Sequence, residues 1–288
     1  MASTLPKFAF FGTPSVARDT LELLAERSVT PALIVTNPDA PRGRGHILTP
    51  SEVKTWALAH DVPVETPEKL DAAALDTIAS YGCAFAVVVA YGKIFPEELI
   101  ARFPHGVINI HYSLLPKYRG ASPVEAALKN GDTVTGVSIQ KMVREVDAGD
   151  VLAVRGVSIA PDETARELRP RLITEGAKLL ADILPAFVSG SLDGAPQDAT
   201  QATYAPKIKK EDGLLTLAGD AHTNWNTYRA YIENPGTYFF ANREGKRIRV
   251  KIARARFENE TFIPERITPE GKNEQDFADL LRAGWVAE

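Results

Sequence analysis

The order of apolar and polar positions over residues 1–189 alternates between strand-like and helix-like segments. Short apolar runs at 7–11, 32–36 and 84–90 are separated by stretches in which apolar residues recur at helical spacing. The run at 84–90 is apolar on both faces, as is typical of a central strand in a parallel sheet. Strands and helices joined by short connections therefore predict a Rossmann-like, mostly parallel α/β sheet. No Gly-x-Gly-x-x-Gly follows the first strand, so a dinucleotide cofactor is not indicated.

The same periodicity predicts the remaining elements of this first part. Thr13 is placed to cap a first helix whose apolar stripe would be Val16, Thr20, Leu23 and Leu24. A long last helix is expected from a cap at Asp162 to about residue 189. Further helices are predicted at 51–60, 71–81 and 121–129, and further strands at 62–64, 133–140 and 151–157.

The rest of the chain is organised differently. Residues 190–206 are rich in Gly, Ala, Asp and Gln and are predicted to be a linker. A helix at 224–232 and strands at 237–240 and 246–253 then predict a β-rich part. A chain of 288 residues is long for one domain. We therefore expect a first domain at 1–189, a linker at 190–206 and a second domain at 207–288.

Composition limits the class of protein. A hydrophobic content of 44% and a charged content of 24% are ordinary for a soluble globular protein. The single cysteine, Cys83, excludes a disulfide framework and fits a reducing compartment. The first residues lack the pattern of a signal peptide, and no run reaches the roughly 18 apolar residues of a membrane span. These features predict a cytoplasmic protein.

The net charge of −4 conceals a basic segment. Residues 243–256 contain seven basic residues and one acidic residue, so this segment carries +6 and the rest of the chain −10. The segment is either a surface for a polyanion or an ordinary solvated strand face. The loop at 37–45, with Arg42 and Arg44 among glycines, is expected to be a mobile cationic loop suited to phosphate. By its spacing alone, an ordinary surface loop is favoured.

The strongest chemical signal lies between Val107 and Asp150. Residues 107–111 alternate, so that Asn109 and His111 leave the same face of a short strand. An amide can donate a hydrogen bond to a developing oxyanion, and an imidazole can accept a proton. This pair suits acyl-group transfer, with Asp147 as the carboxylate that would orient His111. The other histidines have no metal-ligand spacing, so no metal is expected.

The motifs of this block resemble those of the folate-dependent formyltransferases. Asn-x-His-x-Ser-Leu-Leu-Pro begins at Asn109, Arg-Gly follows at Arg119, and Asp-x-Gly-Asp begins at Asp147. The resemblance extends over nearly the whole chain through the motifs that begin at Phe11, Pro38, Thr203 and Thr268. The Gly-Arg-Gly loop and the appended C-terminal part favour the branch that formylates methionyl-tRNA.

The resemblance implies transfer of a formyl group from 10-formyltetrahydrofolate to the amine of methionyl initiator tRNA, for translation initiation. Asn109, His111 and Asp147 would be catalytic. Folate contacts are implied at Tyr91, Gly92, Ser113, Leu114, Leu115 and Pro116. Contacts to tRNA are implied at Arg42, Arg44, Lys207 and Lys209, together with Arg247, Arg249 and Lys251 of the basic strand. The second domain would be a small OB-like barrel, trimmed because the chain is short between residues 256 and 267. We expect a monomer.

Two other functions stay open at this stage. One is a formyltransferase for a small amine, such as an amino sugar nucleotide or a purine precursor; the cationic loop and the second domain argue against it. The other is a non-catalytic RNA-binding protein, against which the intact Asn109, His111 and Asp147 argue. Tyr112 stands where the family usually has a small residue or proline. It is expected to narrow the pocket, to stack on the terminal adenine, or to lie harmlessly on the surface.

Overall fold

The computed structural model describes residues 5–43 and 45–288. The strands are β1 (Phe8–Gly12), β2 (Leu33–Val35), β3 (Ala40–Arg42), β4 (Ile47–Thr49), β5 (Val64–Glu65), β6 (Phe85–Val89), β7 (Val107–His111), β8 (Arg119–Gly120), β9 (Val134–Lys141), β10 (Val151–Ser158), β11 (Tyr204–Ala205), β12 (Tyr238–Arg243), β13 (Lys246–Glu258), β14 (Thr261–Pro269), β15 (Gln275–Asp276) and β16 (Val286–Ala287). The helices are α1 (Ser15–Ala25), α2 (Glu52–Ala59), α3 (Ala72–Ser80), α4 (Glu97–Ile100), α5 (Pro123–Lys129), α6 (Ala165–Val188), α7 (Ala221–Tyr231) and α8 (Phe277–Arg282).

A seven-stranded sheet with the order β10-β9-β7-β6-β1-β2-β5 forms the larger part of the fold. Its five strands from β7 to β5 pair in parallel, and β9 pairs antiparallel to β7. Every residue of β1 and β6 is buried, as two-sided coverage of central strands requires. The predicted mostly parallel α/β sheet is therefore confirmed.

The two predicted helix caps of this part were wrong. Helix α1 begins at Ser15, and its N-cap residue is Pro14, whose side chain has no group that could cap the helix. Thr13 directs its hydroxyl to the carbonyl of Tyr91 at 3.4 Å instead. Helix α6 begins at Ala165 rather than after Asp162. Thr164 precedes it and donates from its N–H and hydroxyl to the carboxylate of Glu167, at 2.9 and 2.8 Å. This is the contact of a helix N-terminus with the third residue of its first turn.

The face that α1 buries also differs from the predicted stripe. Its buried residues are Ala17, Thr20, Leu21 and Leu24, whereas Val16 and Leu23 are half-buried. Ala17 is small and Leu21 lies one turn after it, so both fit the same face at helical spacing. Thr20 and Leu24 of the predicted stripe are therefore buried as expected, whereas Ala17 and Leu21 are buried in place of Val16 and Leu23.

The cationic loop at 37–45 is in large part a β-hairpin. Strands β3 and β4 pair antiparallel, with Arg42 opposite Ile47. Ile47 and Leu48 are 71% and 66% exposed, so the hairpin carries apolar side chains outward. Arg44 lies outside the described residues.

The second sheet has five strands in the order β15-β14-β13-β12-β16, all paired antiparallel. Its buried face contains Phe239, Val250 and Ile267, which cluster with Tyr228 of α7. Strand β13 extends to Glu258, five residues beyond the predicted end, and turns through 259–260 into β14. The segment from Arg256 to Ile267, which was expected to be short for the family, forms the end of β13, the turn and most of β14. The expected antiparallel β-rich C-terminal part is confirmed.

The chain divides into two compact units. One comprises 1–119, 136–157 and 171–203, and the other comprises 120–135, 158–170 and 204–288. The predicted domain limits at 189 and 206 stay a prediction. Among the described residues, no helix is both long and apolar enough to span a membrane.

Candidate active site

Asn109 and His111 lie at the carboxyl end of β7, on the same face of the sheet. His111 is buried and Asn109 is half-buried. Because β7 pairs antiparallel to β9, Gln140 lies opposite Asn109 and Ser138 lies opposite His111. Directly opposed residues share a face of the sheet. The strand pair therefore places four polar side chains together at one edge.

Asp147 completes this cluster from the turn between β9 and β10. Its Oδ1 accepts hydrogen bonds from Nε2 of Gln140 at 2.8 Å and from Nδ2 of Asn109 at 3.4 Å. Its Oδ2 lies 3.6 Å from Nδ1 of His111. The three residues predicted to be catalytic are thus brought together. Gln140 is a fourth member that the sequence reasoning missed, and only the pairing of β9 with β7 could have revealed it.

The orientation of His111 is fixed by a backbone group. Its Nε2 lies 2.8 Å from the carbonyl oxygen of Tyr118. A carbonyl only accepts hydrogen bonds, so Nε2 carries a proton and Nδ1 of the neutral ring keeps its lone pair. The distance from Nδ1 to Asp147 is longer than a hydrogen bond. The sequence assigned the orienting role to Asp147; this geometry assigns it to Tyr118 and leaves Asp147 to face Nδ1.

The backbone at Asp147 is unusual. Its φ is 51°, in the left-handed region that costs a residue with a side chain about 1–2 kcal/mol. Two residues later, Gly149 passes so close to β9 that a Cβ there would lie 1.8 Å from the carbonyl oxygen of Lys141. The turn that carries the Asp147 carboxylate is therefore packed closely against β9, with no room for a side chain at Gly149.

Among the predicted folate residues, Tyr91 and Gly92 differ in character. The Tyr91 ring is 2% exposed and packs edge-on against Phe11 and Phe95. Burial raises the pKa of its phenol to about 12. The side chain thus belongs to the core, whereas its carbonyl accepts from Thr13 and from Asn37, each at 3.4 Å. Gly92 is exposed, with φ 80° and open space where a Cβ would stand.

The stretch Ser113–Pro116 is an ordered loop held by Ser138. The Ser138 hydroxyl donates to the Ser113 carbonyl at 2.7 Å and accepts from the N–H of Leu115 at 3.0 Å. The Ser113 hydroxyl is bonded to the Lys117 carbonyl at 2.6 Å. The bond between Leu115 and Pro116 is cis. Leu114 and Pro116 are half-buried, so this loop presents a mainly apolar wall.

Tyr112 has none of the three expected placements. It is 8% exposed, and its hydroxyl lies 3.2 Å from Oγ1 of Thr20 in α1. Its ring lies against Gly176 of α6. Burial raises the pKa of its phenol. Tyr112 is therefore a core residue beneath the sheet edge.

The predicted tRNA-binding cations of the second unit are exposed. Lys207 and Lys209 lie on the surface. Arg247, Arg249 and Lys251 occupy the outward face of β13, opposite Asn242, Phe240 and Tyr238.

Two of these arginines stack on aromatic rings of β12. The Arg249 guanidinium lies 3.7 Å from the Tyr238 ring centroid, and that of Arg247 lies 3.8 Å from the Phe240 ring centroid. Arg247 is also paired with Glu288 at 2.6 Å. In the described part of the chain, Arg249 and Lys251 have no carboxylate partner.

Comparison with known proteins shows the family to which the chain belongs. Residues 6–184 match the model of the formyl transferase family. The chain is 41% identical over 249 residues to a protein of Sulfurihydrogenibium sp. named methionyl-tRNA formyltransferase, covering 85% of this chain and 80% of that one. It is 41% identical over 235 residues to the protein of the same name from Thermotoga maritima, covering 81% and 75%.

Solved structures share the fold at lower identity. Methionyl-tRNA formyltransferase from Clostridium thermocellum has a TM-score of 0.61 at 17% identity, covering 92% of this chain and 99% of that one. A sugar 3N-formyl transferase has a TM-score of 0.65 at 18% identity, covering 90% and 88%. By its family match and its relatives, the chain belongs to the formyl transferase family and, within it, to the methionyl-tRNA formyltransferases.

Proposed function

We propose that this protein transfers a formyl group from 10-formyltetrahydrofolate to the α-amine of methionyl initiator tRNA. The observation that carries the proposal is the convergence of Asn109, His111 and Asp147 at the end of β7. The bond between the formyl carbon and N10 of the folate is broken, and an amide bond to the methionine nitrogen is formed. One proton leaves the amine and one is gained at N10, so the products are formylmethionyl-tRNA and tetrahydrofolate.

Asn109 is the donor to the formyl oxygen. Its Nδ2 carries two hydrogens, of which one is directed to Asp147 Oδ1 at 3.4 Å. The other can donate to the oxygen as negative charge develops there. Such a preorganised donor stabilises the transition state by about 2.7–4 kcal/mol.

His111 takes the proton of the attacking amine at Nδ1. Because Nε2 is bonded to the Tyr118 carbonyl, the neutral ring keeps its lone pair on Nδ1. Proton uptake there would turn the 3.6 Å contact with Asp147 Oδ2 into an ion pair. Asp147 thus stabilises the imidazolium and, through Oδ1, aligns the Asn109 amide.

The residues around Tyr91 fit the folate. Asn37 donates to the Tyr91 carbonyl, while its Oδ1 is buried and finds no hydrogen-bond partner among the described residues. A buried orphan acceptor is costly unless a ligand or water donates to it. Beside it, the open backbone at Gly92 and the apolar wall of Leu114 and Pro116 suit a flat pterin with a polar edge. Folate would supply the formyl group at this site.

The residues proposed to contact the tRNA are basic side chains. The proposed phosphate contacts are Arg42, Arg44, Lys207, Lys209 and the outward face of β13, because guanidinium and ammonium groups bind phosphate oxygens. Arg249, which stacks on the Tyr238 ring, is oriented by that contact, whereas Arg247 would have to leave its pair with Glu288 to bind phosphate. Acting in translation initiation, the enzyme would work in the cytoplasm, and we propose that it does so as a monomer.

A turnover assay tests the function. Wild type is assayed with 10-formyltetrahydrofolate and methionylated initiator tRNA, with free methionine and an amino sugar nucleotide as parallel acceptors. We expect formylation of the charged tRNA alone. Formylation of a small amine would overturn the proposed acceptor, and RNA binding without any product would overturn the proposed activity.

The same assay tests the site. We expect Asn109→Ala and Asp147→Asn to lower kcat by about 10²–10³, with folate affinity changed less than about twofold, because both residues act on the developing charge. Asn273→Ala, at an exposed position, is the matched control and should keep wild-type turnover. Unchanged turnover in both site variants would reject this assignment.

A further inference from the structure

Gln197 lies in the segment predicted as a linker, yet it is bonded to the turn that carries Asp147. Its Nε2 lies 2.9 Å from the carbonyl oxygen of Asp147 and 2.7 Å from that of Gly149. One amide NH₂ group has two hydrogens and can therefore bridge both carbonyls. This bridge ties the two ends of a three-residue stretch together, directly beneath the catalytic carboxylate.

The direction of the Gln197 amide is determined by its other end. Oε1 of Gln197 accepts from Nε and Nη2 of Arg119, at 3.1 and 2.7 Å, and Arg119 is 6% exposed. A guanidinium only donates, so the amide oxygen must face Arg119 and the NH₂ must face the turn. If the amide were flipped, its NH₂ would face the Arg119 guanidinium and its oxygen would face the two turn carbonyls, so neither end could form a hydrogen bond.

The same amide also influences the side-chain partner of Asp147. Nε2 of Gln197 lies 3.4 Å from Oε1 of Gln140, whose own Nε2 donates to Asp147 Oδ1 at 2.8 Å. With its oxygen facing Gln197, Gln140 presents its NH₂ to the carboxylate. Both hydrogens of the Gln197 NH₂ are directed to the two turn carbonyls, so the longer 3.4 Å contact with Gln140 is a weaker, shared one. Arg119 and Gln197 thus hold the backbone of Asp147, and Gln140 holds its carboxylate.

The segment around Gln197 is itself fixed to the sheet. Ala195 and Val151 exchange two backbone hydrogen bonds of 2.9 Å, which extends pairing at the start of β10. Farther on, Thr203 Oγ1 accepts from the N–H of Tyr118 at 2.9 Å. Gln197 is therefore carried by an ordered piece of backbone and can hold the turn in place.

We propose that Gln197 is a positioning residue for catalysis, which holds the left-handed turn at Asp147 and the Gln140 amide so that the carboxylate faces His111 and Asn109. This inference rests on the proposed function, because it assigns Gln197 a role through Asp147. Gln197 acts on the alignment of the carboxylate and has no contact with the reacting atoms in this role.

The test compares kcat and KM for two variants. Gln197→Leu removes the donor and the acceptor at similar volume, and Gln197→Glu keeps an acceptor for Arg119 but sets oxygen against the two turn carbonyls. We expect each variant to lower kcat about 10- to 100-fold, the range that misplacement of a catalytic group produces. KM for the folate and for the tRNA should change less than about twofold. Gln201→Leu, an exposed glutamine of the same segment, is the matched control with wild-type kcat.

A double-mutant cycle separates positioning from general structural damage. In an Asp147→Asn background, Gln197→Leu should lower kcat by less than about twofold, because the carboxylate that it aligns is absent. An equal loss in both backgrounds would overturn the positioning role, as would unchanged kcat in the single variants or failure of both to fold. If Asp147→Asn itself kept wild-type turnover, the proposed function's site would be rejected instead.

Discussion

Asp147 shows that the geometry of a predicted site residue depends largely on residues outside its own sequence neighbourhood. The Asp-x-Gly-Asp motif singles it out, but a φ of 51° is disfavoured for a residue with a side chain. Its carboxylate and its carbonyl are held by Gln140 and by Gln197, which lies 50 positions later in the chain. The motif thus singles out Asp147 as a candidate, whereas contacts distant in sequence set the direction of its carboxylate.

Tyr112 shows that neighbours in sequence can have different surroundings: it was expected to narrow the pocket, to stack on the terminal adenine or to lie on the surface, and it is buried instead. Residues 111 and 112 are adjacent in sequence, yet the imidazole faces Asp147 and the phenol packs on Thr20 and Gly176. Such a large side chain is accommodated because α6 has a glycine against the ring. The sequence of the motif alone does not contain this information.

We therefore expect Tyr112→Phe to keep wild-type turnover and to change the stability of the fold. At neutral pH the variant should lose about 1 kcal/mol of unfolding free energy, since the contact with Thr20 is lost. Thr20 remains satisfied through its bond to the Val16 carbonyl at 2.8 Å. A more than tenfold loss of kcat would contradict this prediction and would indicate that Tyr112 acts in the substrate pocket.

The pH dependence gives a second readout of the same variant. Burial raises the pKa of the Tyr112 phenol above its ordinary value, so the folded state favours the neutral form. Its contribution to stability is complete below the unfolded pKa of about 10 and is lost as the pH rises toward the folded pKa. Denaturant unfolding at rising alkaline pH should show a shallower decline for Tyr112→Phe than for wild type. Tyr204→Phe, at a position 70% exposed, should decline as wild type does.

At the level of elements, the pairing of β9 beside β7 matters most for the site. A strand was predicted at 133–140, and the structure has β9 at Val134–Lys141. This prediction gave the strand and its bounds, but it gave neither the neighbouring strand nor its antiparallel direction. Both were needed to bring Gln140 beside Asn109. Hydrophobic periodicity reports burial of a segment and carries little information about its partner.

The turn between β9 and β10 should be sensitive to added volume at one glycine. A Cβ at Gly149 would lie 1.8 Å from the Lys141 carbonyl oxygen, so Gly149→Ala must displace backbone. We expect a loss of about 1–3 kcal/mol in unfolding free energy, together with lower kcat because Asp147 is displaced.

The matched control for this turn is Gly156→Ala in β10, where a Cβ would meet no atom within 4 Å among the described residues. It should keep wild-type kcat. Chemical denaturation and steady-state kinetics check both variants. If the two variants had equal kcat and equal unfolding free energy, the prediction would be wrong, because the backbone at Gly149 would have accommodated the added Cβ.

At the level of the whole molecule, positive charge is concentrated on one strand face, although the chain is acidic overall. The chain carries −4 overall, while the outward face of β13 carries a row of cations over aromatic rings. Several arginines of the basic segment are paired locally, such as Arg254 with Glu265 and Arg256 with Glu258. The formal charge of a sequence segment therefore overstates the charge that its surface presents.

This distinction predicts different salt dependences for two exposed arginines. Arg249→Ala should weaken tRNA binding and reduce the slope of log affinity against log salt by about one, as for loss of one phosphate contact. Arg266→Ala is the control, because Arg266 is already paired with Glu274 and Asp276 at 2.9 and 2.8 Å. Binding titrations over a range of salt concentrations compare them. An equal change of slope would mean that β13 has no special part in tRNA binding.

The sequence by itself determined the mostly parallel sheet, the β-rich second part and the identity of the Asn109, His111 and Asp147 groups. These follow from local periodicity and from motif order, which depend on residues near one another in the chain. Tertiary structure alone decided the proton position on His111, the burial of Tyr112 and the recruitment of Gln140 and Gln197. Each of those depends on a hydrogen bond or a packing contact formed when distant segments meet. Local pattern specifies what a segment buries, and the assembled fold specifies which atoms it meets.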